Sequence, residues 1–230
     1  MEADKTQKTG QINVEVLKLQ LLRQKITRAR FKFPFEEDDA YKIIMAAYEI
    51  EVRYRRRQFV NDDKTRASVA SFVRALTSKQ PRFGILLCGT CGNGKTTMVY
   101  AFQNALNLLV RNGRLDREWG MQIIDAKEIV RKTREDYKFY TNIRSKEMLA
   151  IEDIGREPAE TLDYGNVLSP IVDLLEYRYD QQLYTIVTTN LKPQEMRSHY
   201  GDRIADRLNE MFDKVIFQDG SYRLTTKAKE

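Results

Sequence analysis

Residues suited to metal binding or cross-linking are scarce in this chain. It has two cysteines and one histidine in 230 residues. A zinc site built on Cys88 and Cys91 would lack its two further ligands, because His199 is the sole histidine. No apolar run approaches the ~20 residues of a membrane-spanning helix. The opening MEADKTQKTG lacks the apolar core of a signal peptide. These absences predict a cytoplasmic chain with no membrane partner, whose two cysteines are packing residues in a reducing compartment.

Hydrophobic residues make up 42% and charged residues 31% of the chain, which is ordinary for a globular protein. The length suits one proper core with a small appendage. A net charge of +6 favours a polyanionic partner, with nucleic acid the first candidate.

The most informative stretch is FGILLCGTCGNGKTT, residues 83–97. A short apolar run from Phe83 to Cys88 reads as a buried strand, and a helical pattern starts near Lys95. Between them Gly89, Gly94, Lys95 and Thr96 fill the fixed positions of the phosphate-binding loop GxxxxGK[ST]. Phosphate oxygens must approach successive backbone N–H groups closely, which favours glycine at Gly89, Gly92 and Gly94. The following helix turns its unpaired N–H groups and positive dipole end toward the anion. Lys95 adds a point charge, and the Thr96 hydroxyl is placed to ligate magnesium. Asn93 and Thr97 complete the expected nucleotide-binding loop.

Ahead of this loop, Val16 to Phe33 interleaves Lys18, Arg23, Lys25, Arg28, Arg30 and Lys32 with Leu19, Leu22 and Ile26. Such an arm grips nucleic acid, lies in a partner's groove, or is a helix with a solvated face. Pro34 ends it. Helical patterns follow from Glu36 and over Thr65 to Leu76, and the arginines at 53 and 55–57 suit the C-terminal end of the first helix dipole.

Beyond the loop, strands are expected at Met121–Ile124, Met148–Ile151, Leu183–Thr189 and Val215–Phe217. Helices are expected over Thr96–Val110, from Ala126 into REDYKFY (134–140), over Val167–Tyr179 and over most of Pro193–Asn209. A loop of about ten residues carries Tyr164. This alternation predicts a doubly wound parallel sheet of five strands with ligands at the carboxyl ends.

The third strand ends in Glu152 and Asp153, the shape of a Walker B pair. The first acid would hold magnesium and the second would orient the attacking water. The fourth strand ends in Thr188, Thr189 and Asn190, whose amide is placed for the lytic water or terminal phosphate. Arg203 and Arg207 lie four apart on one helical face. Either serves as an arginine finger or pairs with Asp202 or Asp206.

In this order and spacing, GTCGNGKTT, AIEDIG, TTNL, YGDRIADRL and the late DGSYR resemble the AAA+ ATPases of the replicative helicase-loader group (DnaC and DnaI type) and the related IstB transposition ATPases. The resemblance covers roughly Asn61 to Arg223. It implies a P-loop sheet of the ASCE type, with the sensor strand between the two Walker strands, and ATP-dependent assembly on single-stranded DNA. It also implies roles for individual residues. Lys95 and Thr96 become the phosphate and magnesium contacts, Glu152 and Asp153 the Walker B pair, and Asn190 the first sensor. Arg207 is the first choice for a finger acting in trans, with Arg203 second. Arg223 falls where the family has a late arginine. Loader-group DNA contacts fall on Lys138, Phe139 and Tyr164, whose rings suit base stacking.

The family pattern has aspartate where this chain has Glu152. The chain also ends about a dozen residues after the fifth strand, so no C-terminal lid is expected. The reading is an α/β P-loop NTPase with residues 1–60 as a small N-terminal helical, partner-binding region and residues 61–230 as the AAA+ core. Its expected function is ATP- and magnesium-dependent loading of a replicative helicase, as a homo-oligomer on single-stranded DNA. The alternatives are an IstB-like helper of a transposase and a non-hydrolysing, ATP-gated interaction module.

Overall fold

The computed structural model describes residues 13–24, 30–116, 119–158, 161–163, 166–218, 220 and 222. Three helices lead, α1 (Val14–Gln24), α2 (Glu37–Tyr54) and α3 (Asp63–Thr77). The core then runs β1 (Gly84–Cys88), α4 (Lys95–Arg111), β2 (Gln122–Asp125), α5 (Ala126–Glu135), α6 (Tyr137–Arg144) and β3 (Met148–Ile154). A hairpin, β4 (Thr161–Asp163) and β5 (Asn166–Leu168), precedes α7 (Pro170–Asp180) and β6 (Tyr184–Thr189). The remaining elements are α8 (Pro193–Tyr200), α9 (Asp202–Met211) and β7 (Asp213–Ile216).

Five strands form one parallel sheet in the order β2-β3-β6-β1-β7. The expected architecture is therefore present, with β6 lying between the strands that carry the phosphate loop and the acidic pair. Alternate side chains divide between two cores, as a pleated strand requires. Ile85, Leu87, Ala150 and Ile186 face α2, α3 and α4, whereas Leu86, Leu149, Ile151 and Val187 face the layer of α5 to α9. All six residues of β6 are buried, as expected of a central strand covered on both faces.

Part of the N-terminal region, residues 31–52, packs onto one side of the core. Phe31 and Phe33 are buried, and the Phe31 ring lies 4.9 Å from Tyr184, 5.0 Å from Trp119 and 6.2 Å from Phe102. Ala40, Ile44 and Tyr48 extend the same apolar cluster along α2. Packing therefore runs across residue 60 without a break. Only α1 stands apart, with Val14, Val16, Leu17, Leu19, Leu21 and Leu22 all exposed.

Three other expectations change. Part of the loop before α7, and the first residues of the helix expected from Val167, form the antiparallel β4–β5 hairpin. The helix expected to run through residues 134–140 breaks at Asp136. There an extended backbone lets the side chain accept from the N–H groups of Lys138 and Phe139 and cap α6. Gly201 divides the helix expected over 193–209 into α8 and α9.

At the opposite end of the strands from the phosphate loop, the fully buried Arg178 ties the layers together. It donates to Thr185 Oγ1 at 2.8 Å and to the carbonyls of Arg144 (3.1 Å), Lys146 (2.8 Å) and Tyr184 (2.7 Å). Burial lowers its pKa to about 9. Its four acceptors join α7 to the starts of β3 and β6, which sets how those strands reach the site.

Candidate nucleotide site

The loop after β1 closes around one lysine. Lys95 is 5% exposed, and its Nζ donates to the carbonyls of Gly89 (2.7 Å) and Thr90 (2.8 Å), to Asn93 Oδ1 (3.2 Å) and to Asn190 Oδ1 (2.9 Å). The last bond joins residues 95 positions apart and brings the asparagine at the end of β6 to the glycine loop. Gly94 starts α4 with φ 102°, and a Cβ there would lie 2.2 Å from the Tyr48 hydroxyl. Both the left-handed backbone and that hydroxyl exclude a side chain at Gly94. Asn93 is buried and donates from Nδ2 to the Phe217 carbonyl, which ties the loop to the end of β7.

The acidic pair is separated by a bulge. Ile151 pairs with Val187 and Ile154 with Thr189, so three steps along β3 match two along β6 and one extra residue is accommodated. Asp153 takes that turn in the left-handed region, φ 56°, a conformation aspartate tolerates better than most residues. Its N–H donates to Thr188 Oγ1 at 2.8 Å, and the Ile154 carbonyl accepts from Thr189 Oγ1 at 2.9 Å. The two threonines of the sensor strand thus satisfy the backbone groups that the bulge unpairs. They hold Asp153 at the cavity wall.

Glu152 lies beside the Thr96 side chain, and its Oε1 is buried with no hydrogen-bond partner among the described residues. Burial lifts its carboxyl to about 7, against the pull of the Thr96 hydroxyl and with the Asp153 charge adding to the rise. A buried carboxylate oxygen left over beside a threonine hydroxyl fits a divalent cation. Among the described residues no cluster of three or more His, Cys, Asp or Glu forms a ready-made cage.

A cavity of about 600 Å³ opens over the loop, lined by Gly92, Asn93, Gly94, Lys95, Thr96, Thr97, Asp153 and Asn190. It is also lined by residues that motif reading did not single out for it. Tyr48, Arg55 and Phe59 come from α2 and the segment after it, and Arg156 follows the acidic pair. Tyr222 also faces the cavity, donates its N–H to the Gly92 carbonyl at 3.1 Å, and reaches Asp62 with its hydroxyl at 3.0 Å. It lies within the late DGSYR, so attention to its tyrosine would have found it. Arg223 and Tyr164 lie outside the described residues.

Arg203 and Arg207 do not line this cavity. They pair with neither Asp202 nor Asp206, both of which bind Arg197. Instead both reach across to α7. Arg207 Nη1 lies 2.9 Å from Glu176 Oε1, an ion pair whose angle falls short of a hydrogen bond, and its guanidinium sits over the Tyr179 ring. Arg203 Nε lies 3.2 Å from the same carboxylate but keeps 73% of its side chain exposed, against 22% for Arg207. On α6, Lys138 is exposed. Phe139 is half-buried against the core with Lys132 over its ring, while Tyr137 is 66% exposed.

The glycine loop at the head of α4, the acidic pair one strand beyond β6 and the asparagine at the end of β6 lie on a doubly wound α/β sheet of the P-loop, AAA+ fold class. A curated relative is the replicative helicase loader DnaI of Bacillus subtilis (strain 168), 23% identical over 167 residues. That alignment covers 68% of this chain, which spans about half the length of that relative. The fold is similar to crystal structures of DnaI (20% identity, TM-score 0.52, 72% of this chain and 88% of that one) and of the DnaC helicase loader (18%, 0.52, 70% and 94%). It is also similar to AMPPCP-bound DnaA from Aquifex aeolicus (18%, 0.50, 72% and 50%). No family model matches the chain. Among the described residues no helix is long and apolar enough to cross a membrane.

Proposed function

We propose that this chain is an ATP-binding and ATP-hydrolysing helicase loader that acts in the cytoplasm on single-stranded DNA. The observation that carries the nucleotide reading is the buried Lys95, held by loop carbonyls and by Asn190. A buried cation held by neutral oxygens is ready to exchange them for phosphate oxygens, which bind it more strongly.

In this reading the loop N–H groups and the head of α4 bind the phosphates, and Tyr48, Phe59 and Tyr222 supply the walls around the nucleoside. Thr96 and Glu152 would hold magnesium, which when bound supplies positive charge to the phosphate oxygens. Asp153 orients the attacking water, and Asn190 positions it against the terminal phosphate. Arg203 and Arg207 are finger candidates that serve a neighbouring subunit of a homo-oligomer. The greater exposure of Arg203 favours it over Arg207, which the motif alone had put first.

The exposed apolar residues of α1 support a partner-binding role for the N-terminal region, with a replicative helicase as the partner. Exposed Lys138, with the net charge of +6, supports a DNA contact on α6. Tyr137 is better placed to stack on a base than the packed Phe139. A second reading, a non-hydrolysing ATP-gated module, is favoured by glutamate at the first acidic position and by the ion pair that occupies Asp153.

Calorimetric titration with ATP and magnesium tests the nucleotide site. Wild type binds, and Lys95→Ala weakens binding at least ~100-fold; equal affinities would refute the assignment. Single-turnover hydrolysis with and without single-stranded DNA separates the two readings. Co-purification with a transposase and preference for duplex DNA would replace the loader with an IstB-like helper.

A further inference from the structure

The side chain of Arg156 lines the cavity, and its Nη1 lies 2.6 Å from Asp153 Oδ2. It therefore occupies the carboxylate that, in the proposed function, must face water. Asp125, at the end of β2, adds to the charge of Asp153 in raising the pKa of Arg156, and Cys91 of the glycine loop lines the same cavity. Arg156 thus stands between the acidic strand ends and the loop.

The backbone beneath it is anchored on both sides. Gly155 has φ 88°, and a Cβ there would lie 2.2 Å from the Leu191 side chain, so another residue would be strained and would have to displace Leu191. Its N–H donates at 2.9 Å to Glu157 Oε2, and the buried Glu157 accepts a second bond from the Tyr200 hydroxyl. Arg156 itself remains 55% exposed. The base of the side chain is fixed while its guanidinium is free to turn.

An ATP terminal phosphate adds about two negative charges to a cavity already lined by Asp153. The phosphate outbids a single carboxylate for a guanidinium, since it offers more charge and a matching pair of oxygens. The same phosphate would repel an Asp153 carboxylate left unshielded in the wall.

We propose that Arg156 is a γ-phosphate-reading residue supplied by the same chain, held by Asp153 without nucleotide and transferred to the terminal phosphate when ATP binds. The exchange gives ATP an advantage over ADP, and it releases Asp153 for water only when a triphosphate is present. This inference rests on the nucleotide-site reading.

The test compares the binding of AMPPCP and ADP, each with magnesium, by calorimetry on the full chain. For Arg156→Ala the expected result is an AMPPCP affinity about 10-fold weaker with ADP affinity unchanged. Arg156→Lys retains the charge but not the fork, and recovers part of the preference. Asp153→Asn removes the resting anchor and raises AMPPCP affinity without changing ADP affinity. A wild-type AMPPCP-to-ADP ratio in Arg156→Ala overturns the proposal while Lys95→Ala still abolishes binding of both. If the wild type binds neither nucleotide, the underlying site reading fails as well.

Discussion

The phosphate cradle and the arginine face of α9 solve opposite problems. In the cradle the atoms proposed to bind phosphate are backbone N–H groups and one lysine, all within a single loop and the first turn of α4. The competing conformations are removed by glycine and by contacts such as Tyr48 over Gly94. On α9 the functional atoms sit at the ends of long side chains. Their positions are set by a carboxylate on another helix, Glu176, and by the Tyr179 ring. The difference teaches that a site built of contiguous backbone tolerates little change, whereas a site built of long side chains retains several geometries until a partner selects one.

Mutation of the arginines applies the largest stress to this contrast. Arg203→Ala should reduce steady-state ATP hydrolysis by ~10³-fold or more if it is the finger, while leaving thermal unfolding unchanged because the side chain is exposed. Arg207→Ala should lower stability by ~1 kcal/mol through loss of its ion pair and ring contact, with a smaller effect on hydrolysis. Full hydrolysis in both variants would remove the finger from this face altogether.

A smaller effect is expected from Gly94→Ala in the cradle. Its φ of 102° and the approach of Tyr48 should together cost ~2–3 kcal/mol of stability, measured by urea unfolding. Tyr48→Phe in the same background should recover only part of that loss, because it removes the hydroxyl but not the backbone strain. Complete recovery would show that crowding, rather than conformation, selects glycine there.

The smallest change is expected on α6. Tyr137→Ala should weaken single-stranded DNA binding by ~1–2 kcal/mol, read by fluorescence anisotropy at fixed salt. Phe139→Ala should instead lower the unfolding midpoint, because that ring is packed beside Ile143 and under Lys132. The reverse pattern would restore Phe139 as the stacking residue.

Much of this molecule was legible before any coordinates. The apolar run ahead of GTCGNGKTT, the acids closing MLAIEDIG and the asparagine after the fourth strand each lie at a strand end, and a parallel sheet brings strand ends together. Strand limits moved by only a few residues, most at β3, which continues through the acidic pair. The FKFPF stretch misled because its basic neighbours read as an exposed arm, whereas alternation places Phe31 and Phe33 on one side of an extended segment that faces the core. Arg156 had no motif to mark it, and its place in the cavity depends on a bulge that periodicity does not reveal.

The order of residues by itself determined the strands, the glycine loop proposed to receive a phosphate and which acids stand at the strand ends beside it, because periodicity, glycine placement and strand ends are local properties of a chain. Only the tertiary structure decided that Glu152 turns to Thr96 while Asp153 turns to Arg156, that Arg203 and Arg207 share Glu176, and that α2 helps wall the cavity. Each of those outcomes depends on packing between segments distant in sequence. Long side chains also choose among partners of similar energy according to which surfaces the fold has already brought within reach.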